Sequence, residues 1–448
     1  MQTLQSLPVR DRAPDDSRRF LGVDLSDGIG KRHLLAYLLL ALISSSYAGA
    51  MSLLQSGLLQ VMGFAAERQA TITGMLGALQ EIVLILLLAP VGAIADRIGR
   101  RPVYVFGMLV TAIGFALYPW ADSLSQLVLF RIVVSVGGAA VLGMMVTVIA
   151  DYSRDNTRGR ANGLQGLLAT LGAFIPPALA SLPHTLVAGG ASERVAQQMT
   201  FGAAAALGVL GALIAWRGLA EIHGAHDGKA RKPLPEALRE GFSAARDPGI
   251  ALSYGAAFIS RGDLAITGAF ISLWLVQYGV TELGMAPSAA MYELAVPRML
   301  ATVVGALVGS VLMGYISDRI SRVRAVTLAS GLAALVYLAV LCVGNPSETW
   351  VMGLLFVMGI AEISAFVSSQ ALVGERAPAA QRGTVIGFFG VTGALGILVG
   401  TAGGGWLFAT FMPAAPFALF GALNALVCLW SLGVSTHATP APARAPNT

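Results

Sequence analysis

The sequence predicts an all-α membrane protein, twelve transmembrane helices arranged as two pseudo-symmetric six-helix bundles. Three observations predict it. The first is composition: 56% of the 448 residues are hydrophobic and 12% charged, with a mean hydropathy of +0.72, whereas roughly a quarter of an ordinary soluble domain is charged. The second is room for about twelve stretches of ~20 residues, the length that crosses ~30 Å of hydrocarbon. The third is an internal repeat. Gly92-Ala-Ile-Ala-Asp96-Arg97-Ile-Gly99-Arg100-Arg101 recurs as Gly314-Tyr-Ile-Ser-Asp318-Arg319-Ile-Ser321-Arg322-Val-Arg324, displaced by 222 positions. Asp151, Arg158-Gly159 and Gly163 recur as Glu375, Arg382-Gly383 and Gly387, displaced by 224. A near-constant offset is the mark of a duplicated half, and two similar helical halves point to a pathway between them.

Apolar runs between charged breaks place the spans at 34–59, 70–95, 102–120, 125–150, 161–182, 200–216, 249–278, 295–317, 325–343, 351–373, 384–411 and 414–435. Residues 1–33 form a polar N-terminal tail, 34–216 the first bundle, 217–248 a linker, 249–435 the second bundle and 436–448 an Ala/Pro-rich tail. The linker carries Lys229, Arg231, Lys232 and Pro233 and an amphipathic segment from Leu234 to Ala245; it is too short for a catalytic domain. Gly305 with Gly309 and Gly396 with Gly400 have the small-xxx-small spacing that lets membrane helices approach closely.

Of 29 Lys and Arg, 24 fall in the tails and in the loops after even-numbered spans, leaving Arg68 and Arg194 in the opposite loops. Positive-inside then places both termini in the cytoplasm of a multi-pass protein of the cell inner membrane. The N-terminal tail, with Arg10, Arg12, Asp15, Asp16, Arg18 and Arg19, lacks the short basic start and apolar core of a signal peptide, so no cleavage is expected. The net charge of +5 sits beside the spans rather than along a soluble face, which argues for anionic headgroups and against nucleic acid. Cys342 and Cys428 have no metal-ligand spacing and read as packing residues. Gly-x-Ser-x-Gly and Gly-x4-Gly-Lys-Ser/Thr are both absent, so neither a serine hydrolase nor an ATP-driven engine is encoded.

A charge at the bilayer centre costs at least ~2.5 kcal/mol and needs a partner or water; besides Arg298, which lies nearer the outer surface of span eight, five ionisable residues fall inside spans. They are Glu81, Arg131, Arg261, Asp263 and Glu362. Counting 1.5 Å per residue, Glu81 lies about 22 Å from Asp96 and Arg131 about 10 Å inward from the outer start of span four, so the two share a depth and form an expected proton-sensitive pair. A purely structural pair fixing spans two and four is the other reading. Arg261 and Asp263 point to nearly opposite sides of span seven, which makes Glu362 the expected partner of Arg261. In span one, Ser45, Ser52 and Gln55 lie at helical spacing and are candidate substrate contacts together with Arg261 and Gln370; hydroxyls bonding their own helix backbone are the alternative.

The first basic loop, with Gly92, Asp96, Arg97, Gly99, Arg100 and Arg101, Arg131 in span four, and the Arg158-Gly159-x-x-x-Gly163 segment together resemble the major facilitator superfamily. The resemblance covers residues 34–435 and implies two six-helix bundles around a central cavity that works by rocker-switch alternating access. It implies a proton-transfer role for Arg131, although Ser135 stands where the family's glycine would. Asp96 can accept hydrogen bonds at a helix N-terminus and Arg100 and Arg101 can pair with Asp151. The expected cytoplasmic gate therefore comprises Gly92, Asp96, Arg97, Arg100, Arg101, Asp151 and Arg158, with Asp318, Arg319, Arg322, Glu375 and Arg382 in the second half. In span five Gly163, Gly172 and Pro177 match the family's antiporter pattern, while Pro176, Ala180 and Ser181 replace three glycines.

The expected function is proton-coupled export of small amphiphilic molecules by a monomer, with no cofactor beyond the proton gradient, a small-molecule substrate and the lipid bilayer as partners. A proton-coupled symporter of an organic anion and a non-transporting membrane sensor are the alternatives.

Overall fold

The computed structural model describes residues 19–154, 156–221, 234–378 and 381–437. Twelve helices among them are long and apolar enough to cross a membrane. In the first half they are Lys31–Val61, Ala66–Ile98, Arg100–Trp120, Leu124–Tyr152, Arg158–Ala188 and Glu193–Gly218. In the second half they are Pro248–Thr281, Pro287–Arg319, Arg322–Cys342, Thr349–Arg376, Arg382–Thr410 and Ala415–Val434. Most run several residues past the sequence-based bounds, because the polar residues left out of an apolar run still continue the backbone hydrogen bonds into the headgroup region. Span six begins at Glu193 rather than 200, where Ser192 accepts a bond from the Val195 amide at 3.4 Å and caps a turn that starts with Glu193.

Spans three and nine end in 3-10 turns at Tyr118–Trp120 and Val340–Cys342, and three other spans depart from regular α geometry along their length. Span five is broken into Arg158–Gly172, Ile175–Ala180 and Leu182–Ala188, with Pro176 and Pro177 at the second start, where a missing amide costs least. Spans seven and eight contain π turns at Thr267–Ile271 and Met291–Ala295.

Glycine sets the closest helix crossings. A Cβ on Gly309 would stand 2.7 Å from the Ile360 backbone, and one on Gly305 would strike the Phe356 carbonyl, so spans eight and ten touch backbone to backbone. Gly396 meets the Phe258 carbonyl and Gly400 lies against Gly262, which joins spans eleven and seven in the same way.

The side bearing Arg19, His437 and the loops after even-numbered spans is called the tail side, and the opposite one the far side. Part of the polar tail is folded. Arg19–Phe20 and Val23–Asp24 pair antiparallel around Leu21 and Gly22, both at positive φ (50° and 76°), as a two-residue hairpin turn requires. This hairpin is fastened to the loop after span four: Ser26 donates to the Tyr152 carbonyl at 3.0 Å, the Asp24 amide donates to Thr157 Oγ1 at 2.9 Å, and Arg154 pairs with Asp27 at 3.2 Å. Val23 and Leu25 are fully buried beneath it. The linker forms a helix over Leu234–Ser243 and a short 3-10 turn over Ala244–Arg246. The expectations for Arg10, Arg12, Asp15, Asp16, Arg18, Lys229, Arg231, Lys232 and Pro233 lie outside the described residues. The last helix extends to His437, past the 435 expected.

Contacts between the two halves gather on the far side. Gly74 of span two and Gly405 of span eleven lie against each other's backbone. Gln277 donates to the Ala66 carbonyl at 3.0 Å and to Gln69 Oε1 at 3.1 Å. Ser288 donates to Glu193 at 2.6 Å, and the rings of His184 and Tyr292 stack 4.5 Å apart. Toward the tail side, span two from Glu81 to Ile98 has only Ala95 buried, and in span five from Arg158 to Leu171 only Ala161 is buried. The molecule is closed on the far side and open toward the tails.

Candidate functional site

Of the five charges singled out above, Glu81 and Arg261 act on each other electrostatically from opposite halves without touching. Each is the other's charged neighbour, Glu81 from span two and Arg261 from span seven, at a separation beyond direct ion-pair contact. The stem of Arg261 lies over Gly393 of span eleven, where any Cβ would collide with it, and its guanidinium sits 5.2 Å from the Phe366 ring of span ten. Its Nε is buried without a hydrogen bond. A guanidinium held by an aromatic face and a carboxylate in reach is a site that changes charge when one proton arrives.

Arg131 does not pair with Glu81. It is 3% exposed, and its Nη1 donates to Gln55 Oε1 at 3.3 Å, an atom that also accepts from the Tyr118 hydroxyl at 2.7 Å. Gln55 Nε2 donates in turn to Thr73 at 3.3 Å. Shared depth was the wrong criterion, since Arg131 faces the interior of the first bundle while Glu81 faces the second half. Arg131 is thus a buried cation with neutral hydrogen-bond partners.

Glu362 does not pair with Arg261 either. Its Oε1 accepts from the Tyr337 hydroxyl at 2.6 Å, and Tyr337 and Thr267 share a bond of 2.9 Å. Asp263 is fully buried, and both of its oxygens accept from Asn424 Nδ2 at 3.1 and 2.9 Å. These two acids tie spans seven, nine, ten and twelve together through neutral donors. Tyr118, Tyr337, Thr267, Asn424 and Phe366 were not anticipated; an amide, hydroxyl or phenol isolated in an apolar span is the signal that could have found the first four.

The remaining candidate substrate contacts separate. Ser45 donates to the Leu42 and Ala169 carbonyls at 3.0 and 2.9 Å, spending its hydroxyl on the junction with span five. Gln55 is enclosed in the Arg131 network, Ser52 is half-buried and Gln370 is exposed.

The basic loops form two matching clamps. Arg100 donates to Asp96 at 2.5 Å and to Asp151 at 3.0 Å. Arg322 pairs with Asp318 at 3.3 Å and with Glu375 at 3.6 Å. Arg158 donates to the Ala150 carbonyl at 3.4 Å and Arg382 to the Gly374 carbonyl at 3.0 Å, equivalent atoms under the 224-residue repeat. Arg101 pairs with Glu221 at 2.6 Å rather than with Asp151. Arg319 stacks on Tyr315 at 3.4 Å, and the backbone at Gly92 faces open space. Asp96 accepts from Arg100, four residues on in the chain. Each clamp lies within one half and is formed while the tail side is open, so these contacts brace the loops of a bundle and do not bridge the two bundles in this state.

Two six-helix bundles of the same sequence pattern, apposed on one side and parted on the other, have the architecture of a membrane transporter. The profile of the Major Facilitator Superfamily matches residues 33–301 and 255–447, and the chain belongs to that family. Among curated proteins it is 26% identical to the magnetosome protein MamH of Paramagnetospirillum magneticum (strain ATCC 700264 / AMB-1), over 90% of this chain and 92% of that one. It is 32% identical to multidrug resistance protein 3 of Bacillus subtilis (strain 168), over 20% of this chain and 18% of that protein. Among solved structures, a point mutant of the nucleoside transporter NupG superposes with a TM-score of 0.72 at 14% identity, covering 90% of this chain and 99% of that one. A bacterial homologue of the human lysosomal transporter Spinster, inward-facing and unoccupied, gives 0.69 at 19% identity, covering 92% and 100%. These likenesses to solved structures are of fold.

Proposed function

We propose that this protein is a proton-coupled secondary transporter that exports small amphiphilic molecules across the cell inner membrane, with its tail side in the cytoplasm. The observation that carries the reading is the Glu81–Arg261 juxtaposition. In the tail-open form the ionised Glu81 attracts Arg261 and any positively polarised substrate group in the same pathway. A proton on Glu81 removes that attraction, so substrate and proton compete for one carboxylate, which is the requirement for exchange. Phe366 offers an apolar and aromatic surface to the body of such a substrate. The partial antiporter pattern in span five and the local similarity to a multidrug resistance protein favour export over uptake. Asp263 and Glu362 are assigned to the interior of the second bundle as cross-links, and Arg131 to the first.

The test is transport by purified protein in liposomes with an imposed pH gradient, screening lipophilic cations, organic anions and neutral metabolites while internal pH is recorded. Opposed movement of substrate and proton is the expected result. Movement in the same direction would make the protein a symporter. Glu81→Gln should retain substrate binding and lose the dependence of flux on the gradient; full pH dependence in that variant would move the coupling group elsewhere.

A further inference from the structure

The linker helix Leu234–Ser243 leaves large apolar side chains uncovered although it belongs to a polar segment. Phe242 is 71% and Leu238 36% exposed. At 3.6 residues per turn the two lie about 40° apart, on one stripe. Gly241 flanks that stripe on one side and is seated against Phe388 of span eleven, so closely that a Cβ there would meet the Phe388 ring at 2.8 Å. Arg239 flanks it on the other side, at about 60–100°, and is exposed. Glu236 and Glu240 fall roughly 120–160° away. The helix therefore has an apolar stripe with a cation beside it and its acids turned away.

Its depth follows from its contacts. The Tyr254 hydroxyl donates to the Gly241 carbonyl at 3.1 Å and to the Val385 carbonyl at 3.3 Å. Tyr254 and Phe388 each stand six residues inside the starts of their spans, at Pro248 and Arg382, or about 9 Å along the axis. Those spans are 34 and 29 residues long, about 51 and 43 Å against ~30 Å of hydrocarbon, so their first turns pass through the headgroup layer. Gly241 and its neighbours lie at that level. Phe242 is exposed at that level, and it also makes an edge contact with Phe388 at 6.2 Å.

We propose that this helix lies in the tail-side leaflet, seating Leu238 and Phe242 among acyl chains and holding anionic lipid headgroups with Arg239 and Arg246. Charge complementarity selects an anionic lipid surface as the occupant. Arg246 is exposed at the end of the 3-10 turn, and the sequence just before the helix is basic, with Lys229, Arg231 and Lys232. An apolar stripe with flanking cations and acids on the opposite face is the form in which helices bind such interfaces. Because Gly241 and Phe242 grip Phe388, the lipid-bound helix holds the tail end of span eleven in its parted position.

The experiment needs no transported substrate. Nitroxides are placed singly at Leu238→Cys, Phe242→Cys and Glu240→Cys in a Cys342→Ala, Cys428→Ala chain, in nanodiscs of phosphatidylcholine with and without phosphatidylglycerol. Labels at 238 and 242 should be more accessible to oxygen than to a water-soluble nickel chelate, with the order reversed at 240. Phosphatidylglycerol should slow the labels at 238 and 242, and Arg239→Gln with Arg246→Gln should abolish that slowing. Nickel accessibility at 238 and 242 equal to that at 240 would overturn the membrane seat and point to water or a protein partner. Equal label mobility in the two lipids would overturn the anionic preference.

Discussion

Far-side closure rests on a backbone crossing that any side chain at Gly74 would prevent. A Cβ at Gly74 would overlap the Thr401 carbonyl and stand 2.9 Å from the Gly405 Cα, with the Gly405 nitrogen at 3.2 Å. Carbon contacts are comfortable at about 3.5–4.0 Å, so even Ala forces spans two and eleven apart by several tenths of an ångström. The obstacles are backbone atoms and cannot rotate away. Overpacking of this kind costs about 1–3 kcal/mol, and under alternating access, in which opening the far side parts this crossing, the cost falls on the far-closed state alone. The closed-to-open ratio should therefore fall roughly 5- to 150-fold with Gly74→Ala, and further with Gly74→Leu. The assay is a pulsed electron-electron distance between labels at Glu67 and Glu282, both exposed at the far ends of spans two and seven. Gly74→Leu should lengthen and broaden that distance, whereas Gly138→Ala, whose added methyl would meet nothing within 4 Å, should leave it unchanged. A Gly74→Leu protein with the parental distance distribution would refute the reasoning.

Two further outcomes follow from the polar contacts. Asp151→Asn weakens a clamp in which the Arg100 side chain is only 10% exposed, and should cost about 1–2 kcal/mol, between the values for exposed and buried pairs. Glu375→Gln, whose partner is 3.6 Å away and whose own side chain is 57% exposed, should cost less than about 1 kcal/mol; equal losses of thermal midpoint in detergent would show that burial does not set the difference. Gln55→Leu removes the oxygen that accepts from both Arg131 and Tyr118, and should destabilise the first bundle by about 1–3 kcal/mol, read as a lowered thermal midpoint with the second bundle's cysteine reactivity at Cys428 retained.

The spans and the two basic clamps were legible in the sequence because each depends on local information, namely a run of apolar residues or a repeated charge pattern. The charge partners were not. Sequence spacing gives a residue's depth at 1.5 Å per position, but pairing also needs the direction in which each helix presents the residue, and that is set by tertiary packing. Glu81 and Arg131 share a depth and face different bundles. Arg261 and Glu362 both lie near the middle, yet Glu362 is turned toward Tyr337 and Arg261 toward Gly393 and Phe366. Neutral residues such as Gln55, Tyr118 and Asn424 satisfy much of the buried charge, and a search confined to opposite charges passes over them. The folded hairpin at Arg19–Asp24 was missed for a related reason: its strands are two residues each, too short for any periodicity to show.

The two halves make their tightest loop by different means, and this yields a test of how far the duplication extends into energetics. In the first half span two passes into span three through Gly99 alone, at φ 100° and ψ 159°, a conformation that is essentially restricted to glycine. The equivalent position in the second half is Ser321 at φ −63°, which caps span nine conventionally by accepting from the Arg324 amide at 3.4 Å. The first turn therefore depends on the absence of a side chain, and the second on the presence of one. Gly99→Ala should cost about 1–3 kcal/mol of backbone strain and displace Arg100 from Asp96 and Asp151 together, because Arg100 is the residue immediately after the turn. Ser321→Gly should cost only a few tenths of a kcal/mol, since a glycine cap still permits that backbone. Thermal unfolding of the two variants in the same detergent reads the contrast directly. A Gly99→Ala protein as stable as the parent would mean that the loop relaxes to another path, and that Arg100 is held by its ion pairs rather than by the turn that presents it.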